Sequence, residues 1–178
     1  PSSPVSSLTG AGHIRFEHVW FAYRDDHYVL ENVSFEVAPG QRVGVVGATG
    51  AGKSTLINLL MRFYDVSRGR ITIDGVDIRD IPLASLRSRF GLVLQDVYLF
   101  SGTVGENIHL GNKSISEAEV ERAAVGVHAN RFIAALEAGF ETPVAERGAT
   151  LSLGQRQLLS FARALAYKPP VLVLDEAT

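Results

Sequence analysis

The sequence predicts an α/β fold in which apolar strands run into helices across glycine-rich turns. Three observations carry this reading. "RVGVVG" (42–47) is a short apolar run, consistent with a strand buried on both faces, and it opens into the glycine-rich "GATGAGKST" (47–55). Next, "KSTLINLLMRFY" places Leu56, Leu59, Leu60 and Phe63 at helical spacing. Far downstream, "VLVLDEAT" sets a second apolar strand, Val171 to Leu174, directly before Asp175 and Glu176.

The other elements follow in chain order. "PSSPVSSLTGAG" (1–12) is rich in Pro, Ser and Gly and has no periodicity, so it reads as a linker. Ile14 to Tyr23 is aromatic and β-prone, and Val33, Phe35 and Val37 alternate as in a half-buried strand. Pro39-Gly40 then punctuates the chain. "GRITIDGVDI" alternates Ile71 and Ile73 before Asp74-Gly75, a hairpin signal. "PLASLRSRF" is a short helix with Pro82 in its first turn, and "GLVLQ" is a further strand. From Ser116 the texture is helical through Leu136, ending at Gly139, with Ser116 and Glu119 spaced as a capping box. A second helix around Gln155 carries Leu158, Ala162 and Leu165 on one face and stops at Pro169-Pro170.

Composition narrows the class. Hydrophobic residues make up 46% and charged residues 20% of 178 residues, the balance of a soluble globular domain. A net charge of −2 offers no footprint for a polyanion, so no nucleic-acid partner is implied. The absence of cysteine excludes disulfides and thiolate metal sites. The five histidines show no ligand spacing. No apolar run approaches the ~18 residues of a membrane span.

The glycine-rich stretch matches G-x-x-x-x-G-K-S/T at Gly47, Gly52, Lys53 and Ser54. Backbone N–H groups can wrap a phosphate chain only where side chains stand clear, and glycine also permits the positive φ angles such a loop needs. The helix N-terminus adds partial positive charge. Gly47, Ala48, Thr49, Gly50, Ala51 and Gly52 therefore form the cradle. Lys53 can reach the β- and γ-phosphates, the Ser54 hydroxyl can join a Mg²⁺ shell, and Thr55 is placed for a more internal phosphate. Asp175 and Glu176 stand at the C-terminal end of a strand, the edge where open α/β sheets bind ligands. Asp175 can hold Mg²⁺ through water, and Glu176 can deprotonate a water for attack on the γ-phosphate.

Before the second helix stands "LSLGQRQ", where Ser152 and Gln155 form another capping box. With "GATGAGKST", Gln95 in "LVLQD", "LSLGQ" and "VLVLDE" in this order, the sequence resembles the nucleotide-binding domain of an ATP-binding cassette (ABC) transporter over residues 13–178. "LFSGTVGENI" and "TPVAERG" resemble the exporter branch. Leu153 stands where the family usually has glycine, and Ala145 replaces another before Glu146, a contact residue toward the membrane part.

The resemblance implies a P-loop NTPase core of ABC type with an N-terminal antiparallel β-subdomain and an inserted helical subdomain at about 96–158. Residues 1–12 become a linker from a missing transmembrane domain, and the nucleotide-binding domain is incomplete at its C-terminus. A later strand and a histidine touching the γ-phosphate would lie beyond Thr178, so this chain is expected to bind nucleotide weakly and hydrolyse it poorly. ATP and Mg²⁺ are the implied cofactors. Glu176, Lys53 and Gln95 would be catalytic, with Ser54, Gln95 and Asp175 toward the metal. Tyr23 would stack on adenine, with Tyr28 as the other candidate. Ser152, Gly154 and Gln155 would act on the ATP of a second, head-to-tail nucleotide-binding domain, in a homo- or heterodimer. ATP hydrolysis would then drive export through a transmembrane domain of the same or a partner chain, at the cytoplasmic face of the plasma or inner membrane.

Three rivals share parts of this pattern. ABC-type ATPases of DNA repair and chromosome organisation usually carry a long coiled coil between these motifs, whereas the interval here is short. A catalytically degenerate regulatory half of a heterodimeric transporter would explain Leu153 but not an intact Glu176. A simple P-loop kinase has no use for "LSLGQ".

Overall fold

The computed structural model describes residues 10–24, 27–48, 50–94, 96–145 and 148–175. The chain forms two compact units that meet in sequence at Phe90 and Gly91.

In the first unit, β1 (Ile14–Ala22), β2 (Tyr28–Val37), β3 (Arg68–Ile73) and β4 (Val76–Asp77) form an antiparallel four-stranded sheet in the order β2–β1–β3–β4. Ile14, Phe16, Val19 and Phe21 of β1 are buried. The step from 16 to 19 breaks two-residue alternation, and an irregularity in register between Glu17 and Trp20 absorbs it, with His18 at φ 49°. Without that bulge Val19 would turn to the opposite face. The bulge also presses the β1 main chain onto Gly69, where a Cβ would stand 2.2 Å from the His18 carbonyl oxygen. The hairpin at Asp74-Gly75 forms as its sequence predicts. Both residues take positive φ, 51° and 81°, as a two-residue type I′ turn requires, and Ile73 pairs with Val76. The Asp74 carboxylate then accepts from the N–H groups of Gly12 and His13 and from Arg89, tying the start of the sheet to its turn.

Helix α1 (Lys53–Leu60) buries Thr55, Leu59 and Leu60. The Arg87 guanidinium donates to the carbonyls of Met61 and Arg62 at 3.1 and 3.3 Å, satisfying acceptors that the end of α1 leaves open. Arg87 belongs to the short helix α2 (Leu83–Arg87), with Pro82 just before its first turn.

One expectation fails here. Residues 42–47 form no strand among the described residues, and Val43, Val45 and Val46 are exposed, Val46 at 96%. An apolar run marks a segment suited to burial, but a strand exists only through the neighbour that completes its ladder. No neighbour pairs with this run among the described residues.

The second unit is mainly helical. It contains α3 (Val104–His109), α4 (Glu117–Gly126), α5 (Asn130–Ala134) and α6 (Leu153–Ala166). Two small pairings accompany them. β5 (Phe90–Val93) pairs with β8 (Val171–Leu174), and β6 (Gly102–Thr103) pairs with β7 (Pro143–Val144). Leu99, Val104, Ile108, Ile133, Val144 and Leu159 centre the core. Ala123 and Ala124 of α4 and Ala162 and Ala166 of α6 belong to the same cluster, small side chains that let helices approach closely.

Two helix readings are corrected. The helical texture after Ser116 is two helices, because His128 adopts φ 60° and closes α4. His128 N donates to Val125 O at 3.0 Å and Ala129 N to Ala124 O at 2.8 Å, the bond pair of a Schellman motif with histidine in place of the usual glycine. In α6 the buried face carries Leu159, Ala162 and Ala166, while Leu165 is exposed. The alanines hide this face from a search for large apolar residues.

Candidate functional site

The glycine-rich loop leads into α1 with Gly50 at φ 84° and Gly52, the residue capping α1, at φ 88°. The left-handed conformation of Gly52 favours glycine, and a Cβ there would also press to 2.9 Å on the terminal Cδ2 of Leu30. Helices α3, α4 and α6 begin with reciprocal capping boxes, at Thr103/Glu106, Ser116/Glu119 and Ser152/Gln155. Helix α1 has no side-chain cap and no acidic residue in its first turn. No side-chain cap or first-turn carboxylate of α1 therefore takes up its first N–H groups.

Lys53 is the first residue of α1, and its ammonium folds back over the loop. It donates to the Gly47 carbonyl and, at 3.3 Å, to the Ala48 carbonyl. Ser54 is exposed beside it. Thr55 is only 5% exposed, and its Oγ1 lies 3.1 Å from the Tyr23 hydroxyl. Asn58 Nδ2 donates to that same hydroxyl at 3.3 Å. Tyr23 is 46% exposed, and its ring meets Phe21 and Tyr64 edge-on, with centroids 4.8 and 5.1 Å away. Tyr28, the alternative to Tyr23, packs edge-on against Trp20. The first unit thus gathers Tyr23, Gly47, Ala48, Lys53 and Thr55 around the start of one helix. Asn58 and Tyr64 were not singled out from the sequence. Asn58 lies three residues after Thr55 on the same helix face, a spacing that could have found it.

In the second unit Asp175 follows β8, and its N–H donates to the Val93 carbonyl at 2.9 Å. Strand pairing therefore holds the backbone of this half-buried carboxylate. The capping box predicted at α6 is formed: Ser152 Oγ accepts from Gln155 N at 3.2 Å, and Gln155 Oε1 accepts from Ser152 N at 2.9 Å. Leu153 is 59% exposed and Gly154 is open to solvent, so the leucine serves no core. Thr49, Gln95, Glu146 and Glu176 lie outside the described residues.

Sequence reasoning also missed a buried polar hub. Asn107, 1% exposed, accepts from Phe100 N and donates to the carbonyls of Phe100 and Thr103. Arg163 of α6 binds it in turn and also donates to Tyr98 O at 3.1 Å. Burial lowers the Arg163 pKa from its ordinary value, and the oxygens around the guanidinium compensate for lost water.

These features define a domain with a glycine-hinged loop at the start of one helix and a serine-capped helix in a separate helical unit. Comparison with known proteins names the class: residues 30–178 match the ABC transporter family. The chain belongs to that family. It is 47% identical over 178 residues to a fatty acid ABC transporter ATP-binding/permease protein of Mycobacterium tuberculosis, covering all of this chain and 28% of that protein. It is 49% identical over 178 residues to an ATM1-type heavy metal exporter of Novosphingobium aromaticivorans, again covering all of this chain and 29% of that protein. Among solved structures, a bacterial Atm1-family ABC exporter with ATP bound superposes with a TM-score of 0.90 at 45% identity, over 98% of this chain and 30% of the other. The chain thus spans less than a third of the length of these relatives. No helix among the described residues is long and apolar enough to cross a membrane.

Proposed function

We propose that this chain is the ATP-binding and ATP-hydrolysing motor domain of an exporter, acting through a transmembrane domain of the same or a partner chain. The single observation that supports this most is the loop before α1: two glycines at positive φ, an uncapped helix start, and the Lys53 ammonium held over the loop's own carbonyls.

The chemistry assigned to each residue follows from that loop. Backbone amides of 47–52 bind the triphosphate, and Lys53 exchanges its carbonyl partners for β- and γ-phosphate oxygens. An ammonium held by neutral carbonyls gains by meeting an anion. The donor set fits Mg²⁺, since Ser54, Gln95 and Asp175 would offer hydroxyl, amide and carboxylate oxygens. When bound, Mg²⁺ supplies neutralisation of developing phosphate charge. Glu176 takes the proton from the attacking water while Gln95 holds its position. Phosphoryl transfer depends mainly on such positioning and charge stabilisation. Tyr23 offers the half-exposed ring on which a base can stack.

Two such domains would face head to tail. Ser152, Gly154 and Gln155 of one would cover the γ-phosphate held by the other, so ATP favours the closed pair and its hydrolysis releases it. The membrane partner would convert closing and opening into transport, with these residues at the cytoplasmic face. A relative that is an ATP-binding/permease protein supports the link to a membrane part. The test is Glu176→Gln in the full-length protein. Nucleotide binding should persist while turnover falls by at least about a hundredfold, the scale of a lost general base. Turnover at the wild-type rate would remove the assignment.

A further inference from the structure

Asn58, Tyr23 and Thr55 meet beside the first turns of α1, where the Tyr23 and Thr55 hydroxyls face each other and either could give its hydrogen. The Asn58 Nδ2 group can only donate, and it donates to the Tyr23 hydroxyl oxygen. That bond uses one lone pair of the phenol oxygen and leaves its own hydrogen to be given to Thr55 Oγ1, 3.1 Å away. A threonine hydroxyl that accepts on one side keeps one hydrogen to give on another. Thr55 is buried in the first turn of α1, two residues after Lys53. On the nucleotide-binding reading, the anion this loop meets is the phosphate chain.

We propose that Asn58 and Tyr23 are positioning residues that form a one-way hydrogen-bond relay, presetting the Thr55 hydroxyl as a donor to the nucleotide's phosphate. This rests on the nucleotide-binding reading above and adds a role for Tyr23 separate from its ring. Without the relay the Thr55 hydroxyl can rotate and offer a lone pair, which repels phosphate. With it, the donor orientation is set before nucleotide arrives. Pre-setting of this kind raises affinity by lowering the cost of ordering.

A ligand without a base separates the relay from stacking. Affinities for ATP and for inorganic tripolyphosphate are measured in the full-length protein and in Tyr23→Phe, which keeps the ring against Phe21 and Tyr64. The relay predicts that both affinities fall together, by about two- to tenfold, the scale of one neutral hydrogen bond. KM for ATP should rise by a similar factor with kcat unchanged, the mark of uniform binding. Asn58→Leu alone should weaken both ligands by about two- to threefold and should add nothing on the Tyr23→Phe background, as members of one chain do. If Tyr23→Phe binds tripolyphosphate as the wild type does, the relay is wrong, whether or not ATP binding changes. A wild-type protein that binds neither ligand instead overturns the nucleotide reading itself, and the relay falls with it.

Discussion

Arg163 Nε donates to the main-chain carbonyl of Asn107 at 2.8 Å, while its Nη2 reaches the Asn107 side-chain oxygen at 3.3 Å. One arginine on α6 thus clasps both halves of a buried asparagine on α3. The asparagine in turn closes the segment through Phe100 and Thr103 with three bonds of 2.8 to 3.0 Å. The contact joins the stretch after Gln95 to the helix that Ser152 caps.

Asn107→Leu keeps volume but leaves the Phe100 N–H and the Phe100 and Thr103 carbonyls without these partners. A fully buried unsatisfied group costs about 1–3 kcal/mol, and these three cost less apiece because Phe100 is half exposed to water. We expect a loss of about 2–4 kcal/mol in unfolding free energy, read by urea denaturation at constant slope. A change below about 0.5 kcal/mol, the size of an ordinary surface substitution, would show that the hub does not hold the unit together.

Glu119 supplies a pH signature. The Lys168 ammonium, then the Ser116 N–H and hydroxyl, lower its pKa to about 2. An unfolded glutamate titrates near ~4.3. A carboxylate whose folded pKa is depressed stabilises above the unfolded value and loses that contribution as pH falls through the folded one. The wild type should therefore have a higher Tm than Glu119→Gln at neutral pH. The gap should narrow below about pH 4.3 and close near pH 2. A gap constant with pH would assign the difference to packing.

Local signals were legible where the structure depends on neighbours in sequence. Asp74-Gly75 turned as its residue types require, and Ser152 and Gln155 capped α6 because three-residue spacing fixes that geometry. Residues 42–47 failed because a strand needs a partner that hydropathy cannot name. The break at His128 was hidden because histidine is an uncommon residue for the left-handed conformation that ends a helix. At the site, the pattern around Gly47, Gly52, Lys53 and Ser54 predicted a loop with positive-φ glycines opening into a helix, and Gly50 and Gly52 take φ 84° and 88° before α1. The contact of the Tyr23 hydroxyl with Thr55 was not legible, since it joins residues far apart in the chain. Asn107 is marked in the sequence only as part of "LFSGTVGENI", and only its burial reveals it.

The central claim is that the amides and lysine of residues 47–55 hold a triphosphate. Equilibrium titration of Mg-ATP against the full-length protein and Lys53→Ala tests it most directly. The bonds from Lys53 to Gly47 and Ala48 are solvent-exposed, so the substitution should change nucleotide-free stability by no more than about 0.5 kcal/mol. Affinity should drop by about 10- to 150-fold, the loss of a charge-assisted bond worth about 1.5–3 kcal/mol. Equal affinity in the two proteins, with both folded, would contradict the account.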